Sequence, residues 1–184
     1  MKKSLLAVAV VLSSGISLNA FAIEAPTVVT GGSVYFNGEV VNAACAVSSD
    51  SMDQTVYLDQ VRTAAFNSTA DAPANQPESF EIKLVDCDTT VQATAAVSFT
   101  GATVEGKSSV LANSAGGGGA QGVGLVLMGP DGAVLEINTG VPSSTVTLVD
   151  GTTVIPLSVD YFSTSTVVTP GPVSSVANFN VHYE

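Results

Sequence analysis

The side chains best able to do chemistry are few. His182 is the single histidine and lies two positions before the last residue, while Cys45 and Cys87 are the only thiols. A Ser-His-Asp or Cys-His hydrolase needs an imidazole to take the nucleophile's proton, so His182 is the one candidate base. The alternation around it, on the polar parity, reads instead as an exposed strand position. Asp86 and Asp88 flank Cys87, and neither clustered histidines nor His-Glu-x-x-His occurs. Asp86-Cys87-Asp88-Thr89 therefore reads as a strand end entering a turn rather than as a cation site. Sixteen acidic residues leave room for a glycosidase carboxylate pair, but no Trp is present to stack on a sugar. Gly117-x-Gly119-x-x-Gly122 spells a dinucleotide fingerprint, which requires a helix after it. Val123 to Met128 alternates like a strand, so the glycines read as a flexible loop. No enzymatic activity, cofactor or metal site is expected.

The start of the chain explains the cysteines. Lys2 and Lys3 precede the apolar run Leu5 to Leu12, and small and polar residues then lead to Ala20-Phe21-Ala22, the pattern of a secretory signal peptide with its A-x-A cleavage site. Cleavage after Ala22 removes 22 of 184 residues, leaves 162, and takes the net charge from −11 to −13 as two lysines are lost. The apolar run is too short for a transmembrane helix of about 20 residues. In an oxidising compartment two cysteines have one intramolecular choice, so Cys45 is expected to bond Cys87. The loop of 42 residues between them gives roughly 4 kcal/mol in the chain-entropy account.

Composition narrows the classes further. Hydrophobic residues make up 46% and charged residues 11%, with 16 acids against 5 bases. A disordered acidic tail would be poor in apolar residues, and a nucleic-acid or anionic-membrane binder needs positive charge. Val, Thr, Ser and Gly abound while Lys, Arg and Glu are scarce, which favours pleated strands over long amphipathic helices.

Strands must therefore position whatever the chain does. Period-two alternation puts Phe80, Ile82 and Leu84 on one face, then Ala95, Val97 and Phe99, then Val123, Leu125 and Leu127. Gly129-Pro130-Asp131-Gly132 marks a turn before a further strand through Ala133, Leu135 and Ile137. Asp150-Gly151 predicts a tight hairpin between Thr145–Val149 and Thr152–Ile155, and Pro156 an edge or a bulge. The last residues, Ala177 to Glu184, alternate to the end, so the chain closes inside a strand that something must hold. Many short strands separated by turns indicate a two-layer antiparallel sandwich. Near the start, Val28, Thr30, Gly32, Val34 and Phe36 share one parity. That segment is either an ordinary first strand or a peptide built to lie in another molecule's groove.

A resemblance organises these observations. Gly31-Gly32-Ser33-Val34-Tyr35-Phe36-Asn37-Gly38-Glu39-Val40-Val41-Asn42-Ala43-Ala44-Cys45-Ala46-Val47 closely resembles the start of the major subunit of type 1 fimbriae, built by the chaperone-usher pathway. Asp53-Gln54-Thr55-Val56, Gln60-Val61-Arg62-Thr63-Ala64, Asp86-Cys87-Asp88-Thr89, Gly171 fourteenth from the end and the penultimate Tyr183 fit the same family. The resemblance implies an all-β, incomplete immunoglobulin-like sandwich lacking its last strand, completed by a donor strand from a neighbouring subunit. It divides the chain into a signal peptide (1–22), a donor-strand extension (23–38) carrying Val28, Thr30, Gly32, Val34 and Phe36, and a pilin domain (39–184). It further implies a groove edge formed by Gly171, Phe179, Val181 and Tyr183, which also meets a periplasmic chaperone. Gly32 is implied to sit where a side chain would block entry of the incoming extension. The partners implied are other copies of the chain, the chaperone, an outer-membrane usher and other subunits including a tip adhesin, with no nucleic acid and no membrane insertion. The function implied is a structural subunit of an adhesive rod on the bacterial surface, the alternatives being a minor or adaptor subunit, or a secreted hydrolase.

Overall fold

A computed structural model describes Val29, residues 31–40 and residues 43–184. The expected cleavage residues Ala20 and Ala22, and the extension residues Val28 and Thr30, lie outside these. The chain forms two units, Met1–Glu39 and Val40–Glu184. The described residues of the first have no regular secondary structure, and Val34, Tyr35 and Phe36 are 73%, 84% and 91% exposed.

In the second unit the strands are β1 (Ala46–Val47), β2 (Glu78–Cys87), β3 (Thr94–Gly101), β4 (Thr103–Val104), β5 (Lys107–Ala112), β6 (Val123–Met128), β7 (Val146–Thr147), β8 (Gly151–Ser163) and β9 (Ala177–Tyr183). They form a six-stranded sheet, ordered β1-β2-β8-β6-β5-β4, and a three-stranded sheet, ordered β7-β3-β9. Every ladder between these strands is antiparallel. The core lies between the sheets, where Ile82, Leu84, Leu125, Leu127, Ile155 and Leu157 of one layer meet Ala95, Val97 and Phe99 of the other. This is the all-β, immunoglobulin-like two-layer sandwich that the alternation and the resemblance led to expect. Cys45 and Cys87, both buried, are disulfide-bonded as expected and pin the start of the unit to the end of β2.

Three local expectations need correction. Asp150-Gly151 does not close a hairpin. Val146 pairs with Ala95 in the small sheet while Gly151 pairs with Cys87 in the large one, so the dipeptide carries the chain from one layer to the other. Its positive φ of 94° at Gly151 supplies the sharp bend. Residues 133–137 form no strand either. Val134 bridges Met128 and Ile137 bridges Phe99, so the segment crosses the sandwich and buries Leu135 and Ile137 on the way. His182 is half-buried rather than exposed, because its ring packs across the ladder with Nε2 2.7 Å from Ser98 Oγ. Pro156 behaves as read: it pairs with Glu81, two residues beyond where the β6–β8 ladder ends at Ser158, so β8 is locally an edge on that side.

Candidate functional site: an open groove along the last strand

β9 is an edge strand, and among the described residues its far side has no neighbour. Thr94 and Glu184 exchange both backbone hydrogen bonds, at 2.9 and 3.0 Å. In an antiparallel ladder such pairs alternate, so the N–H and C=O groups of Ala177, Phe179, Val181 and Tyr183 point away from β3. Their side chains pack on the core. Four residues of an ordered strand thus present their backbone groups along an open edge, which normally invites another chain.

Facing that edge runs a second segment short of partners. Among the described residues, no backbone group of residues 54–61 takes a backbone hydrogen-bond partner. Val56 and Leu58 nevertheless turn inward onto the core, alternating with the exposed Thr55 and Tyr57, and Tyr161 Oη donates to the Asp59 carbonyl at 3.1 Å. The stretch is extended in pattern but pairs with no described strand.

Between these two lips lie three cavities in a row. The first, about 420 Å³, is lined by Val47, Val56, Ile82 and Phe179. The second, about 490 Å³, shares Val56 and Ala177 with the first and reaches Phe80, Phe99, Leu111 and Leu127. The third, about 650 Å³, shares Val173 with the second and is bounded by Val61, Arg62, Phe66, Tyr161 and Gly171. Shared linings make them one groove. Along the chain it runs from Phe179 in β9 back to Gly171. Its floor is the apolar interior itself.

Both ends of the groove are braced. Tyr183 Oη donates to the Cys45 carbonyl at 3.0 Å, tying the last strand to the disulfide, and burial raises its phenol pKa above the ordinary value. At the other end the backbone of Gly171 presses on the glycine loop. A Cβ there would lie 2.4 Å from Ala120 N and 2.6 Å from Gly118 O, so no side chain fits. Burial, then the nearby charges of Asp59 and Asp160, raise the Tyr161 pKa. No cavity of the groove is lined by His182 or Ser98, and no group of three metal-ligating side chains occurs among the described residues.

The structure therefore places Gly171 and Phe179 in the groove wall, and Val181 and Tyr183 on the same open edge. Gly32, Val34 and Phe36 stand exposed in the first unit. Sequence reading missed the opposite lip, 54–62. The alternation of Val56 and Leu58 was available as a signal, but nothing local in sequence reveals that a strand lacks a partner.

Comparison with known proteins decides what kind of chain carries this groove. Residues 34–184 match the family described as fimbrial protein. The chain belongs to that family. It is 43% identical over 179 residues to the type-1 fimbrial protein A chain of Escherichia coli K12, covering 96% of this chain and 97% of that one. It is 45% identical over 180 residues to the fimbrial subunit type 1 of Klebsiella pneumoniae, with the same coverages. Among solved structures, a chaperone-usher pilus subunit aligns with TM-score 0.69 at 31% identity, over 87% of this fimbrial chain and all of that one. The P pilus rod subunit PapA aligns with TM-score 0.64 at 29% identity, over 77% of this chain and all of that one.

Proposed function

We propose that this chain is a structural subunit of a surface fimbrium that polymerises by donor-strand exchange. The extension of one copy lies in the groove of the next, pairs with β9 and fills the cavities with its inward side chains. The observation that carries this reading is the coincidence of an unpaired β9 edge, a partnerless lip and an apolar floor in one molecule that also holds Val34 and Phe36 out in solvent. Membership of the fimbrial family and likeness to pilus rod subunits support it.

The parity of Val28, Thr30, Gly32, Val34 and Phe36 continues through Gly38 and Val40, so one face of the extension can follow the whole groove. Burying Val34 and Phe36 contributes about 3–6 kcal/mol before ordering costs. Each new backbone bond along β9 adds about 1 kcal/mol. Because the donating and accepting surfaces differ, the contact is heterologous and propagates as an open filament. Before assembly, a periplasmic chaperone covers the same edge through Phe179, Val181 and Tyr183, and an outer-membrane usher passes subunits outward. The rod supports adhesion together with other subunits, including a tip adhesin, and the chain acts without cofactor, metal or turnover. Electron microscopy of cells expressing the chain without residues 23–38 tests the reading: filaments should be lost, and filaments of normal length would contradict it.

A further inference from the structure

Arg62 is the single arginine of the chain, and with Lys83 and Lys107 it makes up the basic charge outside the signal segment. It is exposed at the mouth of the largest cavity, and no described carboxylate lies within 4.0 Å of it, whereas Lys107 is paired with Asp71. Two acids bracket the extension, Glu24 near its start and Glu39, the residue that follows it and the last of the first unit. We infer that Arg62 sets the direction and register of the incoming strand by pairing with Glu39 of the next copy, an inference that rests on the donor-strand reading above.

The geometry follows from strand rules. Every ladder between the named strands is antiparallel, and antiparallel pairing is the slightly more stable kind. A strand added antiparallel to β9 enters at the Tyr183 end and leaves at the Gly171 end, so the close of the extension lies over the 650 Å³ cavity. Even-numbered residues through Val40 point into the groove, and odd-numbered residues point out. Glu39 thus stands on the outer face beside the lip that bears Arg62. Opposite charges on neighbouring strands of one face attract across the ladder.

A second exposed residue fits the same register. Tyr57 is 85% exposed on the same lip, five positions before Arg62, and Tyr35 is 84% exposed in the extension, four positions before Glu39. The added strand runs parallel to the lip, so both distances are covered in the same direction. Tyr35 comes to rest near Tyr57 as Glu39 reaches Arg62. Two large apolar surfaces left in water by each copy alone are then covered by its neighbour. A strand lying the other way would carry Glu39 to the Tyr183 end, away from Arg62, and Glu24 has the inward parity, so Arg62 would find no acid on the outer face and Tyr57 would not meet Tyr35.

The test is a charge exchange in the full mature chain, read as the rate of filament growth from purified subunits. Exposed pairs are weak, and reversal adds repulsion to the lost attraction, so Arg62→Glu or Glu39→Arg alone should slow growth about three- to tenfold. The double variant should recover most of the loss, and the single-variant defects should shrink as salt is raised. Arg62→Gln, which removes the charge without repulsion, should give a smaller defect, with unchanged circular dichroism. Failure of Glu39→Arg to rescue Arg62→Glu, in filaments that still grow from the unaltered chain, would overturn the direction and register while leaving donor-strand exchange intact. Normal growth of both single reversals would overturn the pairing itself. Failure of the unaltered chain to grow filaments would instead fault the functional reading.

Discussion

Replacing Gly171 with alanine perturbs the groove wall by one methyl group. That methyl would sit 2.4 Å from Ala120 N, 2.6 Å from Gly118 O and 2.6 Å from Gly119 C, roughly 1 Å inside ordinary contact. All three obstacles are backbone, so no side chain can rotate away and the loop at 116–120 must move. Moving it strains the Ala120 N–H bond to the Pro172 carbonyl (3.0 Å) and the Asn113 amide bonds to the Ala120 and Pro172 carbonyls (2.8 and 3.1 Å). Overpacking of this kind costs about 1–3 kcal/mol, and a weakened hydrogen bond about 1 kcal/mol more. With a urea dependence of about 2 kcal/mol per molar, the unfolding midpoint should fall by about 1–2 M. Gly117→Ala is the control, since nothing lies within 4 Å of a Cβ there and the midpoint should hold within about 0.3 M. Equal midpoints for both variants would refute the claim that Gly171 is fixed by close backbone approach.

Four further outcomes follow from the same structure. Phe36→Ala should weaken the polymer by about 3–5 kcal/mol per junction if the ring is buried in a neighbour, lowering the denaturant midpoint of filament dissociation without altering the monomer. Gly32→Leu should leave the chain able to fold with its chaperone but unable to form rods in an assembly assay, and normal rods would count against a clearance role for this glycine. Tyr183→Phe removes the bond to the Cys45 carbonyl and should lower the melting temperature by about 2–4 °C, from a loss of about 1 kcal/mol; an unchanged melting curve would show that bond to be idle. Thr89 donates through its backbone and then its side chain to Asp150, which lowers the Asp150 pKa. The resulting stability is present above the ordinary carboxylate pKa near 3.8 and is lost as pH falls through the depressed value. Asp150→Asn should therefore flatten the acid limb of a urea-midpoint profile between about pH 5 and 2, whereas parallel profiles would contradict the linkage.

Much of the sandwich was readable in advance because alternation is a local property. Phe80, Ile82 and Leu84, or Ala95, Val97 and Phe99, declare a face whatever pairs beside them. The terminal strand at 177–183 was legible from its parity, and the Cys45–Cys87 bond from having a single choice of partner. What could not be read was the identity of each strand's neighbour. Asp150-Gly151 has the composition of a hairpin turn, but non-local pairing of Val146 with β3 and of Gly151 with Cys87 outweighs it. The segment Ala133–Ile137 has strand-like alternation but spends it crossing between layers. The groove was visible only through family resemblance, since an absent strand leaves no mark on the residues that would have paired with it. Arg62 and Tyr57 acquired meaning only once the lip that carries them had been placed.

The central claim is that β9 and the facing lip are completed by another copy of this chain, and a near-atomic electron cryomicroscopy map of the assembled filament tests it most directly. The account predicts continuous strand density between residues 54–62 and 177–183 whose side chains read as residues 28–40 of the adjacent subunit, with Phe36 inside. A map in which that edge stays empty, or in which the density traces back to the same subunit's own leading segment, would contradict it.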